Sequence, residues 1–288
     1  MISPINVFSA RTKEEFLSFL QSSNGFVQKQ IGIEEQYAIK DRPYHIDGFC
    51  VVCSTPTKFL VDDDCGFHTA TGIQVNWRER LVCSSCGLNN RMRAALHFIE
   101  HNLGALRSDV LYLTEQLTPM YTALTKRYPI LLGSEFLSDG TPRGAHNSSR
   151  IRFEDVTKLT FEGESIDCIL TFDVLEHVPD YHAAIREFFR CLRARGKILI
   201  SIPFALYSAE TVTRARLGSN GEIEHILVPS YHGDPLNATG ILCFYDFGWD
   251  FLDELRDAGF VNSALHFYWS LEYGYLGHAQ FLISAERP

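Results

Sequence analysis

Hydrophobic and polar positions divide the chain most clearly over residues 165–203, SIDCILTFDVLEHVPDYHAAIREFFRCLRARGKILISIP. Two apolar runs, 166–172 and 197–203, flank about one helix of periodic sequence. Tyr181, Ile185, Phe188, Phe189 and Leu192 recur there at three- and four-residue steps, and residues 193–196 supply the stop. The pattern predicts strand, crossover helix and parallel strand, one right-handed unit of an α/β sheet. Asp173, Glu176 and His177 then fall at the carboxyl end of the first of these strands, the edge where open α/β sheets bind ligands.

The same rhythm extends both ways. Val110-Leu-Tyr-Leu-Thr114 predicts a first strand, and Thr118-Pro119 starts a helix running to about Tyr128. A second strand at 130–132 ends at Ser134-Glu135, and a short third one at 150–153 ends at Glu154-Asp155. The 165–203 unit supplies strands four and five. An insertion over 204–245, containing YHGDP, follows, and then a helix at 248–258 and two late strands at 260–268 and 278–284. Before the first strand, Met92, Leu96, Ile99 and Leu103 mark a linking helix. Phe16, Leu17 and Leu20 mark an amphipathic one at 13–21, with Thr12 and Glu15 as its capping box.

Composition narrows the class. A chain of 288 residues with 45% hydrophobic and 12% aromatic content can bury a full core, as one large domain or a domain plus a module. No apolar run has the length of a bilayer span. The start, MISPINVFSARTKEEF, lacks the basic and apolar regions of a secretory signal, so a cytoplasmic location is expected. A net charge of −9 counts against a nucleic-acid partner. Residues 77–107 depart from that average: Arg78, Arg80, Arg91, Arg93 and Arg107 face only Glu79 and Glu100, as either a solvated face or an anion-binding patch.

Cys50-Val-Val-Cys53 and Cys83-Ser-Ser-Cys86 are two C-x-x-C pairs with 29 residues between them. In a cytoplasmic chain this spacing predicts a closed, structural zinc site of four thiolates, and Gly87 allows the knuckle turn after the last. Cys65 and His68 lie inside the loop as second choices. His97 and His101, four apart on a helix, are read as packed or solvent-facing, Cys168 and Cys191 as buried thiols, and Cys243 stays unassigned. Three segments result: an N-terminal helical arm at 1–46, a zinc module with its linking helix at 47–104, and a main domain at 105–288.

Acidic residues follow successive strands: Glu135, Asp155 and Asp173. Glu135 lies twenty residues beyond Glu115, a spacing at which a carboxylate can take both ribose hydroxyls of a nucleoside. Three acids on one sheet edge point to an adenosine-containing ligand. Here IRFEDVTKLTFEGESIDCILTFDVLEHVPD, REFFRCLRARGKILISIPF and the closing DFGWDFLDELRDAGF resemble the class I S-adenosylmethionine-dependent methyltransferases, over about residues 109–285. The cysteine pairs followed by GLNNRMRA, with YHGDP, look like a bacterial subgroup carrying an N-terminal four-cysteine zinc module.

That resemblance implies a Rossmann-like, seven-stranded, mostly parallel methyltransferase sheet with its last strand antiparallel. It implies S-adenosylmethionine as cofactor, with Glu135 at the ribose, Phe136 beside it as a further cofactor-binding residue, Asp155 and Val156 at the adenine, and Asp173 and Val174 at the methionine end. The first loop departs from the family. Thr114-Glu115-Gln116-Leu117-Thr118-Pro119 has no glycine, so it must take another path, with Thr114 or Glu115 facing the cofactor's amino acid.

Methyl transfer from a sulfonium is an in-line displacement, in which positioning does most of the work. A base is needed only where the acceptor loses a proton. His177 is one candidate. In Tyr231-His232-Gly233-Asp234-Pro235, His232 lies two residues from Asp234, either as an oriented base or as part of a structural turn. The expected activity is methyl transfer to an oxygen or nitrogen of a small-molecule or sugar-derived acceptor. The alternatives are an RNA methyltransferase guided by its zinc module and a catalytically dead fold that serves as a binding module.

Overall fold

Runs apolar enough to be covered on both faces form the middle of a seven-stranded mixed sheet in the computed structural model, which describes residues 2–38, 41–70, 72–233 and 240–288. The strands used below are β1 (Val7–Ala10), β2 (Tyr44–Cys50), β3 (Thr55–Val61), β4 (Val82–Cys83), β5 (Leu111–Leu113), β6 (Leu131–Gly133), β7 (Ile166–Phe172), β8 (Leu192–Ser201), β9 (Tyr231–His232), β10 (Ile241–Leu242), β11 (Val261–Tyr268) and β12 (Phe281–Glu286). The helices are α1 (Lys13–Ser22), α2 (Asn24–Ala38), α3 (Asn90–His97), α4 (Pro119–Thr125), α5 (Tyr181–Cys191) and α6 (Asp250–Asp257).

The large sheet has the order β1-β11-β12-β8-β7-β5-β6. Strands β6, β5, β7 and β8 pair parallel with one another, and β12 runs antiparallel to β8. The expected Rossmann-like sheet with its last strand reversed is therefore present. Two details differ. The third strand expected at 150–153 reduces to two isolated bridges, Glu135 to Phe153 and His146 to Arg152. Its polar groups are satisfied locally instead: Asn147 Oδ1 accepts from Ser149 and Ile151, Arg150 is left-handed at φ 61°, and the Arg152 N–H goes to the Gln116 side chain. A ladder needs those groups. The seventh strand comes from the N-terminus, where β1 takes the edge beside β11.

By packing, the chain divides into two units: Met1–Ala10, Glu14–Ala105 and His266–Leu282 form one, and Arg11–Lys13, Leu106–Leu265 and Ile283–Pro288 the other. In the first unit, β2, β3 and β4 form a small antiparallel sheet, followed by α3. Asn89 caps α3 by accepting from Met92 N. Phe8 stacks on Phe19, and Phe16 on Phe267, which buries the apolar side of α1.

Glu34 is buried here, and its Oε1 accepts both the Trp269 indole N–H at 2.7 Å and the Gly277 N–H at 2.8 Å. Burial raises its pKa above the usual carboxylate value of 4.5. The folded state then holds a proton that the unfolded state has released, so the stability Glu34 confers falls as pH rises from about 4.5 through the folded pKa. Glu34→Gln keeps an acceptor oxygen and removes the titration. Its melting temperature relative to wild type is expected to rise between pH 4 and pH 7, which thermal melts in that range check; an unchanged difference would exclude Glu34 as the source.

In the second unit, α5 is capped by Asp180, which accepts from Ala183 N, and buries Tyr181, Ala184, Ile185, Phe188 and Cys191 along one stripe. Among the described residues no helix is long and apolar enough to cross a membrane. The 204–245 insertion folds as short two-stranded pieces, 212–213 with 245–246, 215–217 with 223–225, and β9 with β10.

Candidate functional site

The strand-end acids of the second unit do different jobs. Asp173 follows β7 with a left-handed backbone, φ 54°. Its N–H still bonds Ser201 O at 2.8 Å, and its Oδ1 accepts from the Ser201 hydroxyl at 3.0 Å. Left-handed geometry is rare outside glycine but tolerated by aspartate. It turns the chain sharply into the 3-10 turn Leu175–His177, with Val174 at its start. Thr114, buried at the end of β5, hydrogen-bonds Leu170 O at 3.0 Å through its N–H.

Glu135 explains how the glycine-free loop is held. Its Oε1 accepts the N–H groups of Gln116 at 2.7 Å and Leu117 at 2.9 Å. A carboxylate does from outside what a glycine turn would do by conformation: it satisfies the successive backbone donors ahead of α4. Glu115 lies in that loop, and Phe136, 67% exposed, sets its ring edge-on to Phe153. Asp155 Oδ1 accepts from both the N–H and the hydroxyl of Thr157, with Val156 between them half-buried. The fully buried acid of this segment is its neighbour Glu154, bound to Arg152 and Thr160.

A second set of groups gathers where the insertion is fastened to the turn after Asp173. Phe244 N donates to Glu176 O at 2.6 Å, Tyr245 OH to Pro179 O at 2.6 Å, and His177 Nδ1 bonds Leu242 O at 2.8 Å. A carbonyl only accepts, so His177 carries its proton on Nδ1 and its lone pair on Nε2. The Glu176 side chain is fully buried, and neither carboxylate oxygen makes a well-formed hydrogen bond. Its Oε1 lies 3.3 Å from His232 Nδ1 and 3.8 Å from His177 Nε2. Burial lifts Glu176 to about 7, and the Cys243 sulfur and then the Glu176 carboxylate lift His232 to about 10. The His177 and His232 rings stand perpendicular at 5.2 Å. The carboxylate partner of His232 is thus Glu176; Asp234, its expected partner, lies outside the described residues.

In the first unit, Cys50, Cys53, Cys83 and Cys86 come together. Cys50 Sγ is 3.9 Å from Cys86 Sγ, and Cys53 Sγ is 3.9 Å from Cys83 Sγ. A tetrahedron with Zn–S bonds of about 2.3 Å has edges of about 3.8 Å, so the four sulfurs fit zinc. Cys65 and His68 are exposed and stand apart from this group. His97 is a packed histidine, bonded to Ser3 O and Tyr275 OH. The arginine-rich segment is largely committed internally. Arg78 and Arg91 pair with Glu79, Arg80 with Asp62, and Arg93 is buried.

Sequence reasoning missed Glu176 as the orienting acid and Cys243 as a neighbour of His232. The only signal was YHGDP followed by GILCF, whose pairing across β9 and β10 cannot be read from spacing.

Residues 132–200 match the methyltransferase domain family model, covering β6 through β8. Among solved structures, the chain is similar to an S-adenosylmethionine-dependent methyltransferase from Mesorhizobium loti, at 18% identity and a TM-score of 0.40 over 62% of this chain and 90% of that one. It is also similar to the Burkholderia thailandensis 1,6-didemethyltoxoflavin-N1-methyltransferase, at 18% identity and a TM-score of 0.38 over 68% and 77%. A third is an S-adenosylmethionine-dependent methyltransferase from Methanosarcina mazei, at 13% identity and a TM-score of 0.38 over 66% and 96%. No curated protein matches the chain significantly in sequence. The domain match and the sheet define a class I methyltransferase fold. Residues 132–200 carry a methyltransferase domain.

Proposed function

We propose that this protein transfers the methyl group of S-adenosylmethionine to an oxygen or nitrogen of a small-molecule or sugar-derived acceptor. The observation that carries this reading is the fastening of the insertion to the turn after Asp173, which sets His232 against buried Glu176 beside the cofactor edge. Glu135 and Phe136 serve the ribose, Asp155 and Val156 the adenine, and Asp173, Val174, Thr114 and Glu115 the methionine end. Acceptor contact is assigned to His232, whose side chain is 41% exposed and faces the Glu176 carboxylate at 3.3 Å. His177 shapes the same site. A small acceptor is favoured over RNA because Arg78, Arg80, Arg91 and Arg93 are paired or buried, which leaves no basic track from them.

The four-cysteine group is assigned a structural zinc ion, since four thiolates leave no open position. We assign residues 1–46 as an N-terminal arm, 47–104 as the zinc module with its linking helix, and 105–288 as the methyltransferase domain with its 204–245 insertion. The free cysteines suit a reducing, cytoplasmic setting.

Titration calorimetry with S-adenosylmethionine and its demethylated product tests the cofactor half; no binding at millimolar ligand would sink it. Glu135→Ala strips both backbone N–H groups of the first loop of their acceptor and is expected to weaken cofactor binding about tenfold or more, given about 1–3 kcal/mol per orphaned donor. His232→Ala is expected to leave cofactor affinity near wild type.

A further inference from the structure

The groups around β9 and β10 form a constellation that methyl transfer alone does not require. His177, His232 and Cys243 each offer one donor atom, and these atoms lie within 4.8 Å of one another. They come from three places in the chain, brought together by the pairing of Tyr231 with Leu242 and His232 with Ile241. Against them lies Glu176, completely buried with no hydrogen bond to either oxygen. A carboxylate in that position costs several kcal/mol unless a cation compensates it.

His177 has the orientation found around bound metals, and His232 comes close to it without a formed hydrogen bond. A ligating histidine gives its other ring N–H to a carbonyl or a carboxylate. His177 Nδ1 is held by Leu242 O at 2.8 Å, which puts the lone pair on Nε2. His232 Nδ1 faces Glu176 Oε1 at 3.3 Å, which leaves Nε2 as its ligand atom. Cys243 is buried beside them and offers its sulfur. Two imidazoles and a thiolate suit a borderline ion such as zinc; magnesium and calcium demand oxygen ligands. Donor atoms in a tetrahedral zinc site stand about 3.3–3.8 Å apart, so modest ring rotation closes the observed spread.

We propose that His177, His232 and Cys243 bind a zinc-class divalent cation, with Glu176 as the carboxylate that orients His232. This second metal centre is separate from the four-cysteine group. Three protein ligands leave a fourth position open to water or to an acceptor oxygen or nitrogen. A bound ion there supplies a Lewis acid that lowers the pKa of whatever it coordinates. In that arrangement His232 activates the acceptor as a ligand, and His177 becomes its equal partner. The proposed acceptor chemistry rests on the methyltransferase reading, whereas the metal site does not.

The test is a zinc count on the full chain, reconstituted with zinc, freed of loose metal by buffer exchange and measured by mass spectrometry. Wild type is expected to hold about one zinc ion per chain more than either His232→Asn or Cys243→Ser. His232 is partly exposed and the cysteine change is isosteric, so both should fold, which circular dichroism verifies. Equal counts in wild type and both folded variants would overturn the site. Loss in only one variant would also overturn the three-ligand assignment. Cofactor calorimetry on the same samples reports separately on the methyltransferase reading.

Discussion

Arg93→Met is expected to destabilise the first unit by about 3–5 kcal/mol, from three buried carbonyls that lose a donor at about 1–3 kcal/mol each. Its guanidinium is fully buried. Nη1 donates to Tyr273 O at 2.5 Å, and Nη2 donates to Leu81 O at 3.0 Å and Gly274 O at 2.9 Å. The plane also lies 4.0 Å from the Phe59 ring centroid. Methionine fills much of the same volume but leaves three carbonyls without donors. Burial lowers the Arg93 pKa, and Tyr275 first, then Cys50, Cys83 and Cys86, counter that shift. A zinc ion bound by four thiolates carries a net charge of −2, and Arg93 is a buried cation close enough to offset it. The variant should therefore lose heat stability and retain zinc less well against a chelator. Lysine cannot rescue it, because one ammonium cannot reproduce the planar fork across separate carbonyls. A thermal midpoint within about 2 °C of wild type, less than 1 kcal/mol in a domain of this size, would refute the assignment.

Arg93 also marks where the sequence could be read and where it could not. Its charge suggested a surface in an arginine-rich stretch, because counting charges says nothing about burial. The fold was legible where its determinants were local: β7, α5 and β8 are two apolar runs and an amphipathic stripe within one segment. The four cysteines were legible for the same reason, since each C-x-x-C pair carries its own geometry. β1 was not, because VFSA gives too short a run to announce an edge strand. The third strand failed in the opposite way. Its pattern was strand-like, but the side chains of Asn147 and Gln116 took the backbone N–H groups of Ile151 and Arg152 first. Glu135 was placed correctly at a strand end, yet its grip on the backbone of a glycine-free loop needed coordinates. Cys243 and Glu176 carry no spacing that joins them; only the closure of a forty-residue insertion does.

Glu176→Gln should separate what the buried carboxylate does for stability from what it does for the site. The change keeps the side-chain shape and removes a charge that no hydrogen bond stabilises. A structural ion pair would lose stability on this substitution. Here the carboxylate is fully buried and His232 is 3.3 Å away, so the desolvation cost weighs heavily against the attraction. The expected thermal midpoint of the metal-free variant is therefore equal to wild type or higher. The site should suffer, because an amide orients the His232 ring less firmly and raises its basicity less. Replacing such an orienting partner typically costs 10–100-fold in metal affinity, a loss of about that size. Chelator competition on the full chain measures it, with the four-cysteine ion as an internal reference that should not move. A midpoint several degrees lower with unchanged zinc retention would make Glu176 a stabilising ion-pair partner of His232. A stable protein that gives up only its second ion would instead show a carboxylate kept for function at a cost in stability.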